Sequence, residues 1–253
     1  MGSLFHSILY QPLFNLLIWL YNIIPGHDMG IAIIVLTILI KLALYPLTQQ
    51  SLKSQKALTK IQPELDAIRK AHKDDKEKQA KEMMALYARE KVNPTASCLP
   101  LLIQLPILIA LYQVLIAGVA GTNFSDLYPF VANPGQINHL FLGYVNLGTP
   151  SIVFAVLAGI AQFFQTRQLT RTRPPAQVQG SPGAKDEGMT AMMNKQMLYV
   201  MPIVTVFIGI KLPAGLSLYW LVTNLAQIVQ QHFVFKDARQ PVTHVDAPQI
   251  QAP

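Results

Sequence analysis

Five apolar runs decide what this chain can fold into. Met29 to Leu47, Cys98 to Ala120, about Leu147 to Phe164, Met197 to Leu212 and Leu216 to Phe235 lie near the roughly 17–25 residues a helix needs to cross a bilayer, two of them on the short side. Hydrophobic residues make up 51% of the 253 and charged residues only 13%, with a mean hydropathy of +0.32, which is too apolar for an ordinary soluble domain. The sequence therefore reads as an all-α membrane protein with five transmembrane helices.

The basic residues orient these spans. Between Ser51 and Thr95 there are eleven Lys/Arg against seven Asp/Glu, and five Lys/Arg lie between Arg167 and Lys195. Residues 121–150 have none, and no Lys or Arg precedes Lys41. Cytoplasmic loops carry the excess of Lys and Arg, so the two charged loops and the C-terminus are read as cytoplasmic and the N-terminus as external. The net charge of +7 then follows from topology and anionic lipid, and requires no specific nucleic acid. Ser3 to Ile24 lacks a basic leading segment and contains Gln11, Pro12, Asn15 and Asn22. It is read as an interfacial amphipathic helix on the outer face, with Trp19 and Tyr21 at the interface, and not as a cleavable signal or a sixth span.

Lys41 is the exception within the first run. No acidic residue lies within a helical turn of it, and at 1.5 Å per residue it stands roughly 12 Å from Gln49 and about 18 Å from Met29. Such a charge costs roughly 2.5–3.5 kcal/mol near a helix centre, so it faces a bundle interior or hydrated cavity unless its stem snorkels out. Thr37, Lys41, Tyr45 and Thr48 follow at spacings of four, four and three, on one side of a continuous helix. Ser217, Trp220, Asn224, Gln227 and Gln231 do the same in the fifth run, and Gln162 and Gln165 share a face of the third. Three polar faces point to one shared hydrated groove. Gln104 and Gln113 are nine residues apart, so at most one joins it.

Between the first two runs, Leu58, Ile61, Leu65 and Ile68 form one helical stripe and Ala80, Met83, Met84 and Tyr87 another, separated by His72-Lys73-Asp74-Asp75. This predicts a cytoplasmic helical hairpin, bent at Pro63 and stopped by Asn93-Pro94. Arg173 to Gly183 reads as a flexible linker. Residue groups at metal or catalytic spacing are not found. Cys98 is the only cysteine, and the six histidines form no ligand pair, so no catalytic residue, metal or cofactor is expected. The resulting division runs 1–27 (outer helix and connector), 28–50 (first span), 51–95 (hairpin), 96–120 (second span) and 121–146 (outer loop). It continues with 147–168 (third span), 169–195 (linker loop), 196–235 (fourth and fifth spans) and 236–253 (tail).

At Glu82 to Pro94, followed by Cys98-Leu-Pro-Leu-Leu-Ile-Gln-Leu-Pro-Ile107, the chain resembles the bacterial YidC/Oxa-type membrane protein insertases. The likeness extends through Tyr45-Pro-Leu-Thr48, Leu212 to Trp220 and Asn224. It implies a five-span insertase core that inserts nascent membrane proteins into the bacterial plasma membrane, alone or beside the Sec translocon. The ribosome and the signal-recognition-particle receptor are further partners implied by it. By the resemblance Lys41 occupies the position of the family's groove cation, commonly Arg in bacterial members, and Gln165 and Trp220 fall where the family lines its groove; the polar faces add Thr37, Tyr45, Asn224 and Gln227 as candidate groove residues. Against that family, the expected departures are the lack of a large extracytoplasmic domain before the core and of an N-terminal lipoprotein cysteine, and a tail in which only Lys236 and Arg239 are basic. Competing readings are an anion transporter or channel, with Lys41 as its solute site, and a structural membrane scaffold. No internal repeat favours the transporter.

Overall fold

The structure, a computed structural model, describes residues 3–93, 99–120, 124–171 and 196–236. The chain starts with α1 (Ser3–Phe5), a π-helical segment (His6–Tyr10) and α2 (Gln11–Ile23), with Pro12 in the first turn of α2, where its missing N–H costs nothing. A Pro25-Gly26 turn follows, with Gly26 at φ +81. Asp28 then caps α3 (Met29–Ala43): its Oδ1 accepts from the Ile31 N–H at 3.0 Å.

The first apolar run is not one straight helix. It breaks at Leu44, and α4 (Tyr45–Lys60) leaves α3 at 63°. Pro46 is the cause, since its ring cannot donate to Leu42 O and crowds that carbonyl. The polar stripe expected along one helix is thereby split, with Thr37 and Lys41 before the bend and Tyr45 and Thr48 after it. A boundary drawn at residue 50 from the onset of charge falls inside α4. α4 is bounded by breaks at Leu44 and Ile61, the latter one residue before the start of α5 (Gln62–Ala71), which carries Pro63 in its first turn.

α5 and α6 (Lys76–Arg89) form the hairpin, with Asp75 Oδ1 accepting from the Lys78 N–H at the start of α6. Ile61, Leu65, Leu86 and Val92 are its own buried core. Between the arms, His72 Nε2 lies 2.8 Å from a Glu82 carboxylate oxygen, and Arg89 pairs with Glu64. α6 ends at Arg89, and Lys91 adopts φ +52, so the helix stops before Asn93. Pro94, Cys98, the linker Arg173 to Gly183 and the tail beyond Lys236 lie outside the described residues.

The remaining elements are α7 (Leu99–Ala120), α8 (Ile152–Arg171), a π-helical segment (Gln196–Val200), α9 (Met201–Gly209) and α10 (Ala214–Lys236). α8 packs against α9 and α10, α10 against α3, and α2 against α3 and α7. Close approach of α8 and α9 uses Gly159: a Cβ there would stand 2.5 Å from Val206 and 3.1 Å from Pro202 O. The main core gathers Phe14, Leu17 and Ile18 of α2 with Ala32, Ile33 and Leu36 of α3, Val114 of α7 and Tyr219 of α10. Outside the helices, Leu140–Phe141 pairs antiparallel with Val145–Asn146 across a tight turn. This small ribbon qualifies the all-α expectation. It forms because Leu142 and Gly143, at φ +50 and +77, turn the chain within the three residues between Phe141 and its partner Val145.

By length and hydropathy, Ile152–Leu169 is a candidate span, and α3 with α4 qualifies as one bent pair. Leu102–Ala117 and Gln196–Gly209 are shorter apolar helices.

Candidate functional site

Lys41 is in the last turn of α3, where the helix C-terminus favours a cation. It continues the inward row of Ile33 and Thr37, which are 2% and 1% exposed, while Ile38, Leu39 and Leu42 on the other faces are open. Lys41 itself is half-buried and makes no hydrogen bond or ion pair with any described residue. Thr37 does not offer its hydroxyl to a cavity, because Oγ1 donates to Ile33 O of its own helix at 2.6 Å. Threonine in an apolar helix commonly satisfies itself this way.

Past the bend, Tyr45 is exposed, and its carbonyl accepts from Gln230 Nε2 at 3.5 Å. Gln230 Nε2 also donates to Thr48 Oγ1 at 2.9 Å. Lys56 Nζ reaches Val234 O at 3.4 Å, so α4 follows the last turns of α10. Sequence reasoning missed Gln230. It lies off the polar stripe of the fifth run and meets Thr48 only because α4 turns.

The expected polar face of α10 divides into two. Ser217, Asn224 and Gln231 form a buried row seven residues apart. Ser217 Oγ donates to Gly209 O at 3.5 Å and Asn224 Nδ2 to Ala158 O at 3.4 Å, so this row seals α10 against its neighbours. Gln231 Oε1 is buried without a hydrogen-bond partner among the described residues. On the other side, Tyr219 is 1% exposed, and its hydroxyl accepts from Gln104 Nε2 of α7. Gln104 of α7 thus reaches α10. Trp220 and Gln227, both half-buried, fall by helical rotation in the sector between the α8 contact and the α4/α7 contacts. Gln165 of α8 is half-buried, with Oε1 accepting from Thr166 Oγ1 at 3.3 Å. Its neighbour on that face, Gln162, accepts from Thr205 of α9.

At the end of the bundle opposite the hairpin, side chains lock the loop over the helices. Asn15 Nδ2 donates to Asp126 O at 2.8 Å and its Oδ1 accepts from Tyr128 N–H at 2.6 Å. Tyr21 Oη accepts from the Asn138 N–H, and Asp28 Oδ2 from the Leu142 N–H. Chemically, the site offers one unneutralised cation, amide side chains and an indole. Among the described residues, no three of His, Cys, Asp or Glu converge as metal ligands.

The profile of the 60Kd inner membrane protein family matches residues 19–241. A membrane protein insertase YidC of Fusobacterium nucleatum is 37% identical over 232 residues, covering 91% of this chain and 98% of that protein. Proteins of the same name from Nitratidesulfovibrio vulgaris and Syntrophobacter fumaroxidans are 36% and 34% identical over 90% and 92% of this chain. The chain spans only 38% of the length of each of these two.

Proposed function

The chain belongs to the 60Kd inner membrane protein family, the YidC/Oxa-type insertases, and from that premise we propose that it inserts nascent membrane proteins into the bacterial inner membrane. The observation that carries the mechanism is the placement of Lys41: inward on α3, half-buried and without a neutralising partner among the described residues. A carboxylate on a client's tail meets this ammonium where water is scarce and Coulomb attraction is stronger than in bulk, which offsets part of the tail's desolvation. Trp220, Gln227 and Gln165 give the tail polar and aromatic contacts, with Tyr45 at the bend, while Thr37 and Asn224 hold the walls. The client's apolar segment then moves into lipid, driven by burial at about 25 cal/mol per Å².

In this reading five spans cross the membrane, the N-terminus is outside, and the N-terminal helix lies at the outer interface. The hairpin faces the cytoplasm, where the ribosome, the signal-recognition-particle receptor or the Sec translocon would meet it. The locked outer loop supports a groove shut on the outside and entered from within.

The test compares a single-span client carrying Asp or Asn at the same tail positions, in cells depleted of other insertases. Lys41→Arg retains insertion of both clients. Lys41→Leu folds, yet loses the Asp client about ten-fold or more, as expected for roughly 1.4 kcal/mol or more of lost attraction. Equal loss of both clients shows that Lys41 hydrates the groove without reading charge.

A further inference from the structure

α8 and α10 run in the same direction, tied where Asn224 Nδ2 meets Ala158 O and Gln168 Nε2 meets Ile228 O. One flank of this seam is a groove of about 1430 Å³. It exceeds the roughly 300–1,000 Å³ of small-molecule clefts. The lining is graded along its length. Leu157 and Leu221 stand at one end, Phe164, Leu225 and Val229 continue the apolar wall, and Arg167, Gln168 and His232 gather at the other end beside Phe233 and Phe235. Phe164, Leu225 and Val229 are 52%, 48% and 57% exposed, so the protein leaves this wall uncovered.

The lining runs from Leu157 to Gln168 on α8, a rise of about 17 Å, and from Leu221 to Phe235 on α10, about 21 Å, both short of a hydrocarbon core of roughly 30 Å. A client's transmembrane segment needs the full thickness. A free phosphate would use the polar end alone. An amphiphile confined to one leaflet, with an anionic head, matches both the length and the grading. We propose that this groove binds an anionic phospholipid of the cytoplasmic leaflet, its phosphate at Arg167, Gln168 and His232 and an acyl chain along α8 and α10. The leaflet assignment rests on the orientation proposed above. None of these residues belongs to the insertion groove around Lys41, so the lipid site and insertion are separable.

The full chain, purified and delipidated, is offered phosphatidylglycerol or phosphatidylcholine, and retained lipid is counted by native mass spectrometry. Wild type prefers phosphatidylglycerol, and the double variant Arg167→Gln/His232→Gln loses that preference by about five-fold or more. Arg167→Lys keeps most of it, which separates charge from folding. Leu225→Trp, which fills the wall and leaves the cation, lowers retention of the same lipid. Equal retention of both lipids by wild type overturns the proposal, as does full competition by inorganic phosphate. An adduct from a photoreactive residue at Val229 to a nascent client in place of lipid overturns it in favour of a client path. Insertion of the neutral-tailed client is scored on the same variants. Lost lipid preference with intact insertion supports the site, while no preference with intact insertion sinks the site and leaves the insertase reading standing. Reversed labelling of Lys76→Cys and Asn133→Cys by an impermeant reagent would remove the cytoplasmic-leaflet assignment.

Discussion

Asn15 holds more of this fold together than its apolar helix suggests. Buried at 3% exposure, it satisfies Asp126 O and the Tyr128 N–H across more than one hundred residues of sequence. Asn15→Leu leaves these loop groups poorly paired, at a cost of roughly 1–3 kcal/mol. The expected readout is a lower thermal midpoint in detergent, with Asn15→Asp retaining only the acceptor half of the interaction. His139 lies in the same outer region, and burial lowers its pKa from the usual 6.5. The folded state therefore favours neutral imidazole, and this contribution is complete above 6.5 and is lost as pH falls through the lower folded value. His139→Gln should flatten the acid limb of the stability curve, as followed by thermal unfolding at a series of pH values.

At the scale of elements, α4 links two bodies that the sequence separates at its change of charge. It begins beside the Lys41 region, runs along the end of α10 and stops at Ile61, where the hairpin core begins. The hairpin core of Ile61, Leu65, Leu86 and Val92 shares no residue with the main core. Opening one therefore need not open the other. Leu65 is 2% exposed, and Leu65→Ala should cost about 2–5 kcal/mol within the hairpin. Limited proteolysis between residues 62 and 89 should accelerate, while the thermal transition of the helical bundle stays where it was. A bundle transition that falls in parallel would show that the two bodies unfold together.

For the whole molecule, orientation is the property on which both proposed sites depend. Lys76 in the hairpin and Asn133 in the outer loop are exposed, and the bundle lies between the elements that carry them. With Cys98 replaced, a cysteine at Asn133 should react with an impermeant thiol reagent on intact cells, and one at Lys76 should react only after lysis. The opposite pattern reverses the topology. The loop that carries Asn133 is tied to Asn15, Tyr21 and Asp28, whereas the hairpin has a core of its own.

The sequence by itself determined the features set by local spacing. Apolar runs and helical periodicity mark the helices, and Ile61 and Leu65 appear in the predicted hairpin stripe and in its observed core. Lys41 stood out because a lone cation in an apolar run has a large solvation cost wherever it points. Periodicity could not rank positions within a stripe. Met84 is 65% exposed, while Leu86, outside the stripe, is buried. Only the tertiary structure decided which polar residues meet. Pro46 shows that a bend can occur, but the 63° turn that brings Thr48 to Gln230 depends on packing against α10. The split of Ser217, Asn224 and Gln231 from Trp220 and Gln227 depends on where α3, α7 and α8 stand around α10. The ties from Asn15 to Asp126 and Tyr128 were equally hidden, because hydrogen bonds to backbone over such separations leave no periodic signal in the chain.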